Sequence, residues 1–388
     1  MQDNEKKPAL RFKGFTDPWE QRKLGDLCVE FRSGEFISAS DITETGEYPV
    51  FGGNGLRGFT DRFNHDGEYT LIGRQGALCG NVNFAVGKSY FTEHAIAVRA
   101  DKKNQTRFLY YLFSTMDLGQ YSGQSAQPGL AVGNLVELKS TLPDKQEQEK
   151  ISGVLTALDT LITLHQRKYE KLVNIKKSML DKMFPPNGAS VPEIRFKGFT
   201  DPWEQRKISE LAEKTYGGGT PTTSNEAFWN GNIPWIQSSD IVDGKLIGVE
   251  PRKYITQTGL NSSATQLVPK NSIAIITRVG VGKLAYMPFS YSTSQDFLSL
   301  SKLNTEPFFT VYACYKKLQS ELNTVQGTSI KGITKDELLA KTISVPVYSE
   351  QKQIGSFFAQ LDTLITLHQR KLEKLQNIKK SCLEKMFV

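Results

Sequence analysis

The chain has 388 residues, of which 38% are hydrophobic and 23% charged, and its formal net charge is +7. The length indicates two or three domains, and the absence of a long apolar run argues against a membrane-spanning helix. A basic balance favours a polyanionic partner. Four scattered cysteines without a CxxC pair argue against disulfide or zinc frameworks. The polar start lacks the apolar segment of a secretory signal, so we expect a cytoplasmic protein.

The first element is a connector that occurs twice. Residues 11–23 read RFKGFTDPWEQRK, and residues 195–207 repeat the same thirteen letters. Glycine and proline punctuate this segment, and we expect Trp19 to anchor it against a globular lobe. We therefore assign residues 1–23 to an N-terminal connector and residues 185–207 to its repeat.

The first interior, residues 24–143, alternates strand-like runs with turn residues. Residues 48–51, a glycine-rich turn and residues 69–72 predict strand, turn and strand. A helix is predicted over 105–116 and a polar loop over 122–128. Pro143 ends this interior, and Asp144 with Glu147 forms a predicted capping box for the next helix.

A long helix follows, at 144–184, and it is also repeated. Apolar residues recur at three- and four-residue steps, which is typical of a coiled-coil helix. Residues 158–184 return at 361–387 with 23 of 27 positions identical. The helix offset is 361 − 158 = 203 and the connector offset is 195 − 11 = 184, so the second interior is 203 − 184 = 19 residues longer.

The second half follows the same plan, with an interior at 208–346 and a helix at 347–388. The order predicts an α+β fold with two globular α/β lobes, separated by two long antiparallel coiled-coil helices in an internal pseudo-two-fold repeat. Each helix has roughly 40 residues and a length of about 60 Å, enough to set two lobes on separated DNA half-sites.

The chain has no recognisable catalytic constellation. Residues 280–283 resemble the end of a phosphate-binding loop, but Leu284 replaces the required Ser or Thr, so a strand-end turn is favoured. The four histidines lack metal-ligand spacing. We therefore expect no metal site, no cofactor and no enzymatic activity in this chain.

Several ordered features together resemble the specificity subunit of type I restriction–modification systems over essentially the whole chain. In the first interior these are YPVFGGNG at 48–55, LIGRQG at 71–76 and Cys79-Gly80. In the second they are GGGTP at 217–221 and IPW at 233–235. The Leu-Pro and Val-Pro steps before Glu147-Gln148 and Glu350-Gln351 resemble the family's junction into its spacer helices.

The resemblance implies that each lobe is a target recognition domain for one half of a bipartite double-stranded DNA sequence. It implies that the helices set the spacing and dock two methyltransferase subunits, which methylate adenine with S-adenosylmethionine. Restriction motor-nuclease subunits would then cleave unmodified DNA with ATP and Mg²⁺. No base-contacting residue carries over by motif, because the interiors vary within such proteins.

Polar residues on glycine-flanked loops are the candidates for DNA contact, because side chains at base edges and phosphates carry recognition. Arg74 and Arg278 are favoured, since each follows a strand-like run at a turn. For any one candidate, an ordinary solvated loop residue is the alternative. The full set is Asn54, Arg57, Arg62, Arg74, Gln75, Gln124, Gln127, Thr220, Gln237, Ser238, Arg278, Lys283, Ser329 and Lys331.

Basic residues on the repeated helices are candidates for docking the methyltransferase subunits. A solvated coiled-coil face is the alternative reading of this charge, and His165 and His368 are expected to set helix register. The docking candidates are Arg167, Lys171, Lys176, Arg370, Lys374 and Lys379.

A binding module of another class remains the main competing hypothesis. In it, a coiled-coil scaffold presents two lobes that bind a protein or a carbohydrate. Only the DNA-binding hypothesis predicts affinity that weakens steeply with salt.

Overall fold

A computed structural model describes residues 7–123, 129–186, 188–324 and 332–388. The chain divides into two compact units. Unit 1 comprises Met1–His165 and Lys371–Val388, and unit 2 comprises Gln166–Arg370. Each unit therefore contains one lobe, the start of one long helix and the end of the other.

Unit 1 begins with the connector and the first lobe. Its elements in chain order are β1 (Glu20–Lys23), β2 (Cys28–Ser33), β3 (Tyr48–Gly52), β4 (Gly55–Thr60), β5 (Glu68–Gly73), β6 (Val82–Val86), β7 (Tyr90–Phe91), β8 (Ala95–Ala100), α1 (Thr106–Thr115), α2 (Val132–Glu137), β9 (Lys139–Leu142) and the first part of α3 (Lys145–Lys182).

Two sheets form the body of the first lobe. One has strand order β2-β8-β5-β6 and the other β4-β3-β7. Strand β5 is buried at five of its six positions, because it lies inside the four-stranded sheet and α1 packs against it. The β3–β4 hairpin is closed by a two-residue turn.

Unit 2 repeats this plan with longer connections. Its elements are the end of α3, β10 (Glu204–Lys207), β11 (Ala212–Gly217), β12 (Trp229–Ile236), β13 (Lys253–Ile255), α4 (Gln257–Asn261), β14 (Ser272–Ile276), β15 (Leu284–Met287), β16 (Ser292–Thr293), β17 (Phe297–Leu303), α5 (Pro307–Thr324), α6 (Lys335–Ala340), β18 (Thr342–Val345) and the first part of α7 (Tyr348–Met386). The sheet orders β11-β17-β14-β15 and β13-β12-β16 match those of the first lobe.

Much of the extra length in the second lobe lies between two paired strands. Strands β3 and β4 are joined by residues 53–54, whereas β12 and β13 are joined by residues 237–252. This longer connection places Leu246 in the buried core beside the end of α3 and the start of α7. The matched frame thus tolerates an insertion at one strand connection without a change in strand order.

Each connector pairs with the strand that leaves its own lobe. Strand β1 pairs antiparallel with β9, with Glu20 opposite Leu142. Strand β10 pairs in the same way with β18, with Glu204 opposite Val345. The repeated connector therefore brings the entry and exit of each lobe together at the start of a long helix.

An aromatic cluster in unit 1 joins the connector, the lobe and the end of α7. Trp19 is 2% exposed. The centre of its ring lies 6.3 Å from the ring centre of Phe108 and 6.4 Å from that of Phe387. Burial of such large side chains contributes about 1.5–3 kcal/mol each. The expected anchoring role of Trp19 is confirmed.

Unit 2 contains the same cluster with the helices exchanged. The Trp203 ring lies 6.0 Å from Phe184, at the end of α3, and 5.8 Å from Phe309 on α5. In each unit, the end of one helix packs beside the start of the other, so the helices are antiparallel. The expected α+β class and internal repeat are confirmed.

The hydrogen bonds at the starts of the long helices differ from those of the predicted capping box. The Glu147 amide donates to Asp144 Oδ1 at 2.8 Å, but the Glu147 carboxylate binds Arg11 of the connector in a bidentate pair, with both distances 2.8 Å. Arg195 binds Glu350 likewise, at 2.7 and 2.8 Å. The glutamates therefore join connector to helix, because bidentate pairs with arginine are among the strongest hydrogen bonds.

Within the described ranges, no helix is long and apolar enough to span a bilayer. The same residues contain no group of three or more histidine, cysteine, aspartate or glutamate side chains arranged to hold a metal ion.

Candidate nucleic-acid interface

Four chain segments meet at one edge of the first lobe. They are residues 53–54, 74–75, 93–94 and 129–130, and we call them the first-lobe junction. The Arg74 amide donates to His94 O at 2.9 Å, and Arg74 O accepts from the Leu130 amide at 2.9 Å. The approach is close, since a Cβ on Gly73 would lie 2.3 Å from Gly53 O. Glycine is therefore required there.

The first-lobe junction holds the backbone of Arg74 and leaves its side chain available. Strand β5 ends at Gly73, so Arg74 is the first residue of the following turn. Arg74 is half-buried, and its guanidinium has no hydrogen-bond or ion-pair partner among the described residues. Asn54 and Gln75 are exposed in the same junction. A fixed backbone that carries unpaired polar side chains suits recognition of an external hydrogen-bonding surface.

The second lobe has an equivalent junction, formed by residues 277–278, 295–296 and 332–333. Residues 237–238 lead out of β12 beside it, after Ile236, whose carbonyl accepts from the Ser294 amide at 2.9 Å. The Thr277 amide donates to Asp296 O at 2.8 Å, and Thr277 O accepts from the Ile333 amide at 2.8 Å. These are the two backbone bonds that Arg74 makes in the first lobe. Thr277 is therefore the structural equivalent of Arg74, and Arg278 is the equivalent of Gln75.

The side chains of the second-lobe junction differ from those of the first. Arg278 is exposed, and no described residue accepts a hydrogen bond or ion pair from its guanidinium. Gln237 and Ser238 are half-buried, and the Gln237 amide group donates to Ser239 Oγ at 2.9 Å. Thr220 joins this junction by donating to Gln295 Oε1 at 2.6 Å. The two junctions therefore share their backbone hydrogen bonds but differ in the polar side chains that they carry.

Three other candidates lie outside these junctions. Arg57 is exposed on β4, with its aliphatic stem against Gly52. Arg62 forms an ion pair with Asp41 at 2.9 Å and lies over the Tyr90 ring. Lys283 is half-buried at the far side of the turn, where its carbonyl accepts from the Ile276 amide at 2.9 Å.

Gln124, Gln127, Ser329 and Lys331 lie outside the described residues. The described residues that follow them, 129–130 and 332–333, belong to the two junctions.

The corner that leads into β8 in the first lobe and into β17 in the second was not predicted from the sequence. Glu93 and His94 form this corner in the first lobe, with Glu93 Oε1 3.2 Å from His94 Nε2. Gln295 and Asp296 occupy the equivalent corner in the second lobe. An alignment of the two interiors at an offset of 202 residues would have placed these pairs together, since 295 − 93 = 202.

Four of the helix candidates present their charge at the surface. Arg167, Lys171 and Lys374 are exposed on the long helices. Arg370 is also exposed and pairs with Glu250 at 2.9 Å, with both side chains more than 65% exposed. Such a surface pair contributes little to stability, so this arginine can exchange partners easily.

Two helix candidates do not have the exposure that the charge pattern suggested. Lys176 is only 8% exposed, and its Nζ lies 2.5 Å from Asp362 and 2.8 Å from Gly244 O. Lys379 Nζ lies 2.5 Å from Asp159, with the lysine side chain 23% exposed. The assignment of these lysines to an exposed docking face is therefore corrected, because both join α3 to α7.

A family model of the type I restriction modification DNA specificity domain matches residues 16–174 and 200–377. The two matched segments cover most of the chain, with one in each half. The chain belongs to this family of specificity subunits.

Curated members of the family include two relatives from Escherichia coli. The specificity subunit of the type I restriction enzyme EcoprrI is 44% identical over 156 residues, which are 39% of this chain and 39% of that protein. The EcoR124I/EcoR124II specificity subunit is 26% identical over 280 residues, 68% of this chain and 65% of that protein. The matches thus span less than two thirds of either relative. Both are named as specificity subunits of type I restriction enzymes, the class that the sequence features resemble.

The fold is also found in a solved structure. The crystal structure of a type I restriction-modification system S subunit from M. genitalium superposes with a TM-score of 0.74 at 17% identity, covering 98% of this chain and 99% of that one. At this identity the likeness concerns the fold alone.

Proposed function

We propose that this chain is the DNA-recognition component of a type I restriction–modification complex. Each lobe recognises one half of a bipartite double-stranded sequence through its junction and the loops beside it. This assignment rests on family membership and on the equivalent junctions of the two lobes. The chain supplies sequence recognition and the geometry of the complex, while its partner subunits supply the methylation and cleavage reactions.

One observation carries the proposal. The two junctions share the same backbone hydrogen bonds, yet Arg74 stands where the second lobe has Thr277, and Gln75 where it has Arg278. A repeated frame with different polar side chains at one edge suits two lobes that distinguish different bases. Arginine to guanine and glutamine to adenine are the bidentate pairings expected from such side chains.

Contacts to phosphate and contacts to bases have different roles in this proposal. The net charge of +7 supports sequence-independent affinity for DNA. Base-edge contacts by Arg74, Gln75 and Arg278 would then discriminate sequence. Arg62 is a weaker candidate for base contact, because Asp41 already neutralises its charge.

The long helices are proposed to dock two methyltransferase subunits through their exposed faces. Arg167 and Lys171 on α3 correspond to Arg370 and Lys374 on α7 at the offset of 203, since 370 − 167 = 203. Equal positions on two antiparallel helices provide two similar surfaces. The partner subunits, together with motor-nuclease subunits, would use S-adenosylmethionine, ATP and Mg²⁺, and the assembly would act on DNA in the cytoplasm.

The decisive experiment is co-expression with cognate methyltransferase subunits, followed by genome-wide mapping of methylated adenines. The expected result is one split motif with a fixed number of unspecified base pairs between its halves. Exchange of residues 208–346 for the second lobe of a relative should change one half of the motif only. A continuous motif, or no methylation by an assembled complex, would contradict the proposal.

A further inference from the structure

The two helices are joined by a buried polar triad in unit 2. Lys176 of α3 lies 2.5 Å from Asp362 of α7, and Tyr312 of α5 donates its hydroxyl to the other Asp362 oxygen at 2.6 Å. The lysine Nζ also lies 5.6 Å from the centre of the Tyr312 ring. The lysine and aspartate side chains are 10% and 7% exposed. We call these residues the unit 2 triad.

Unit 1 contains the same triad with the two helices exchanged. Lys379 of α7 lies 2.5 Å from Asp159 of α3, and Tyr111 of α1 donates to the other Asp159 oxygen at 2.8 Å. The lysine Nζ lies 5.8 Å from the Tyr111 ring centre. We call these residues the unit 1 triad. The lobe, its own helix and the returning helix therefore meet at one polar point in each unit.

A buried ion pair is poor evidence for stability, because desolvation of both charges offsets most of their attraction. Apolar side chains of similar volume would hold these helices at least as well. What a buried pair does provide is discrimination, since a misaligned partner leaves a charge without compensation. This penalty is greatest in unit 2, where the two charged side chains are 10% and 7% exposed, and smaller in unit 1, where they are 23% and 34% exposed. The two triads can therefore exclude particular wrong alignments of α3 and α7.

The spacing of the charges along each helix determines which alignments of α3 and α7 are excluded. Each helix carries its aspartate 17 residues before its lysine, since 176 − 159 = 17 and 379 − 362 = 17. In an antiparallel pair, both aspartates meet lysines at once. In a parallel pair in register, aspartate would face aspartate and lysine would face lysine. A slip along the antiparallel pair would separate both ion pairs together.

The apolar seam cannot make this distinction by itself. Residues 158–184 and 361–387 are nearly identical, and apolar residues recur along both at three- and four-residue steps, interrupted on each helix by one histidine, His165 or His368. A shift by one heptad would again place apolar residues opposite apolar residues. Such a shift moves the helices by about 10.5 Å, which corresponds to roughly three base pairs of DNA.

We propose that the unit 1 and unit 2 triads are a register code, which fixes the antiparallel alignment of α3 and α7 and with it the single half-site spacing that the complex accepts. The members of the triads are positioning residues. They act on recognition through helix alignment and do not contact DNA. The spacing part of this proposal rests on the proposed function, whereas the alignment part does not.

The first test replaces both triads by apolar side chains. The apolar variant carries Lys176→Met, Asp362→Leu, Tyr312→Phe, Lys379→Met, Asp159→Leu and Tyr111→Phe, so that the polar members of each triad are removed together. Only Gly244 O and Thr156 Oγ1 lose a triad partner. The complex should still assemble and methylate DNA. Sites with other spacings should gain methylation by about tenfold relative to the original spacing.

The chain provides a matched control. Lys177 and Lys380 directly follow the triad lysines at the same offset, and both are exposed. Lys177→Met with Lys380→Met removes the same charge from the same two helices. This control should keep the single spacing of the wild type. An apolar variant that keeps the same single spacing with wild-type discrimination would overturn the spacing part.

A charge exchange in unit 1 tests complementarity. In a Tyr111→Phe background, Asp159→Lys places two lysines together and should relax the spacing. Adding Lys379→Asp restores opposite charges and should restore the single spacing. No recovery in the double variant would contradict a register code based on charge.

A distance measurement tests alignment without any DNA readout. Spin labels carried by non-natural residues at Asn174 on α3 and Thr363 on α7, both exposed and both in unit 2, report the helix offset. The distance distribution should be narrow in the wild type and in the control, and broad or bimodal in the apolar variant. A narrow, unchanged distribution in the apolar variant would overturn the alignment part. A wild type without split-motif methylation would refute only the proposed function.

Discussion

Arg74 shows how one residue can be fixed and available at the same time. Its amide and carbonyl are both bonded within the first-lobe junction, at 2.9 Å each, while its guanidinium has no partner among the described residues. The backbone bonds remove conformational freedom before binding. The entropy cost of placing the side chain against an external hydrogen-bonding group is therefore reduced.

Arg74→Ala is expected to abolish recognition of one half-site while the complex still assembles. Loss of a bidentate base contact costs about 1–3 kcal/mol of discrimination. The measurement is methylation of a library in which each half-site is varied. Arg22→Ala is the control, because Arg22 lies on β1 of the connector, outside both junctions, and its substitution should leave the motif unchanged. Identical motifs in Arg74→Ala and wild type would exclude a base-reading role.

Glu306 is a half-buried acid directly before the start of α5. Burial raises the pKa of its carboxyl, although the Phe309 amide donates to it at 2.6 Å. The first lobe has Gln105 at the equivalent place, where Ser152 donates to the Gln105 side chain. Since the folded state holds this proton more tightly than the unfolded state does, ionisation above the ordinary glutamate pKa lowers stability.

Glu306→Gln should therefore raise the free energy of unfolding at pH 7 by about 0.5 kcal/mol, a figure reduced for partial solvent screening. The gain should shrink towards pH 4, where Glu306 is protonated. Denaturant unfolding at both pH values measures it. Glu337→Gln is a control of opposite sign, because hydrogen bonds from Thr334 lower the pKa of Glu337 and its substitution should cost stability at pH 7. Equal effects of Glu306→Gln at both pH values would contradict this account.

At the scale of elements, each long helix is held at both ends by the same kinds of contact. A glutamate near its start binds the connector arginine, and a phenylalanine at its end packs on the connector tryptophan. The repeated connector and the repeated helix therefore constrain each other. The connector and the helix are alike in both copies, while the interiors between them differ.

Lys176→Met alone is expected to destabilise unit 2 by about 3 kcal/mol, because it leaves the Asp362 carboxylate buried without its counter-ion. Lys379→Met should cost less, since Asp159 is 34% exposed and water can compensate its charge. Lys177→Met should have almost no effect. Thermal unfolding of the three variants ranks them, and an equal loss for Lys176→Met and Lys177→Met would exclude a buried pair.

At the scale of the whole molecule, we expect the affinity for DNA and the sequence specificity to depend on different contacts. Contacts from several lysines and arginines to phosphate would dominate affinity and make it salt-dependent. Binding to the cognate duplex should weaken about a thousandfold between 50 and 200 mM salt if six or more phosphates are neutralised. Titration by fluorescence anisotropy measures this slope. A flat salt response would favour lobes that bind protein or carbohydrate.

The architecture could be predicted from the sequence because the connector and the long helix each occur twice. The offsets of 184 and 203 residues separate a constant frame from variable interiors, and the helical periodicity of residues 158–184 is strong. The positions of Trp19 and Arg74 also followed from local signals, an aromatic in a connector and a strand that ends in a turn. Local pattern suffices where a residue's environment is set by its near neighbours in the chain.

The tertiary structure alone decided which charges are free. Lys176 and Lys177 are adjacent and chemically identical, and only the fold places one against Asp362, 186 residues away, and the other in solvent. It also showed that Thr277, not Arg278, is the equivalent of Arg74, and that the corners at Glu93 and Gln295 belong to the junctions. Repeats and periodicity determined the frame, whereas partners distant in sequence determined the role of each side chain, because burial and ion pairing depend on contacts that only the folded chain creates.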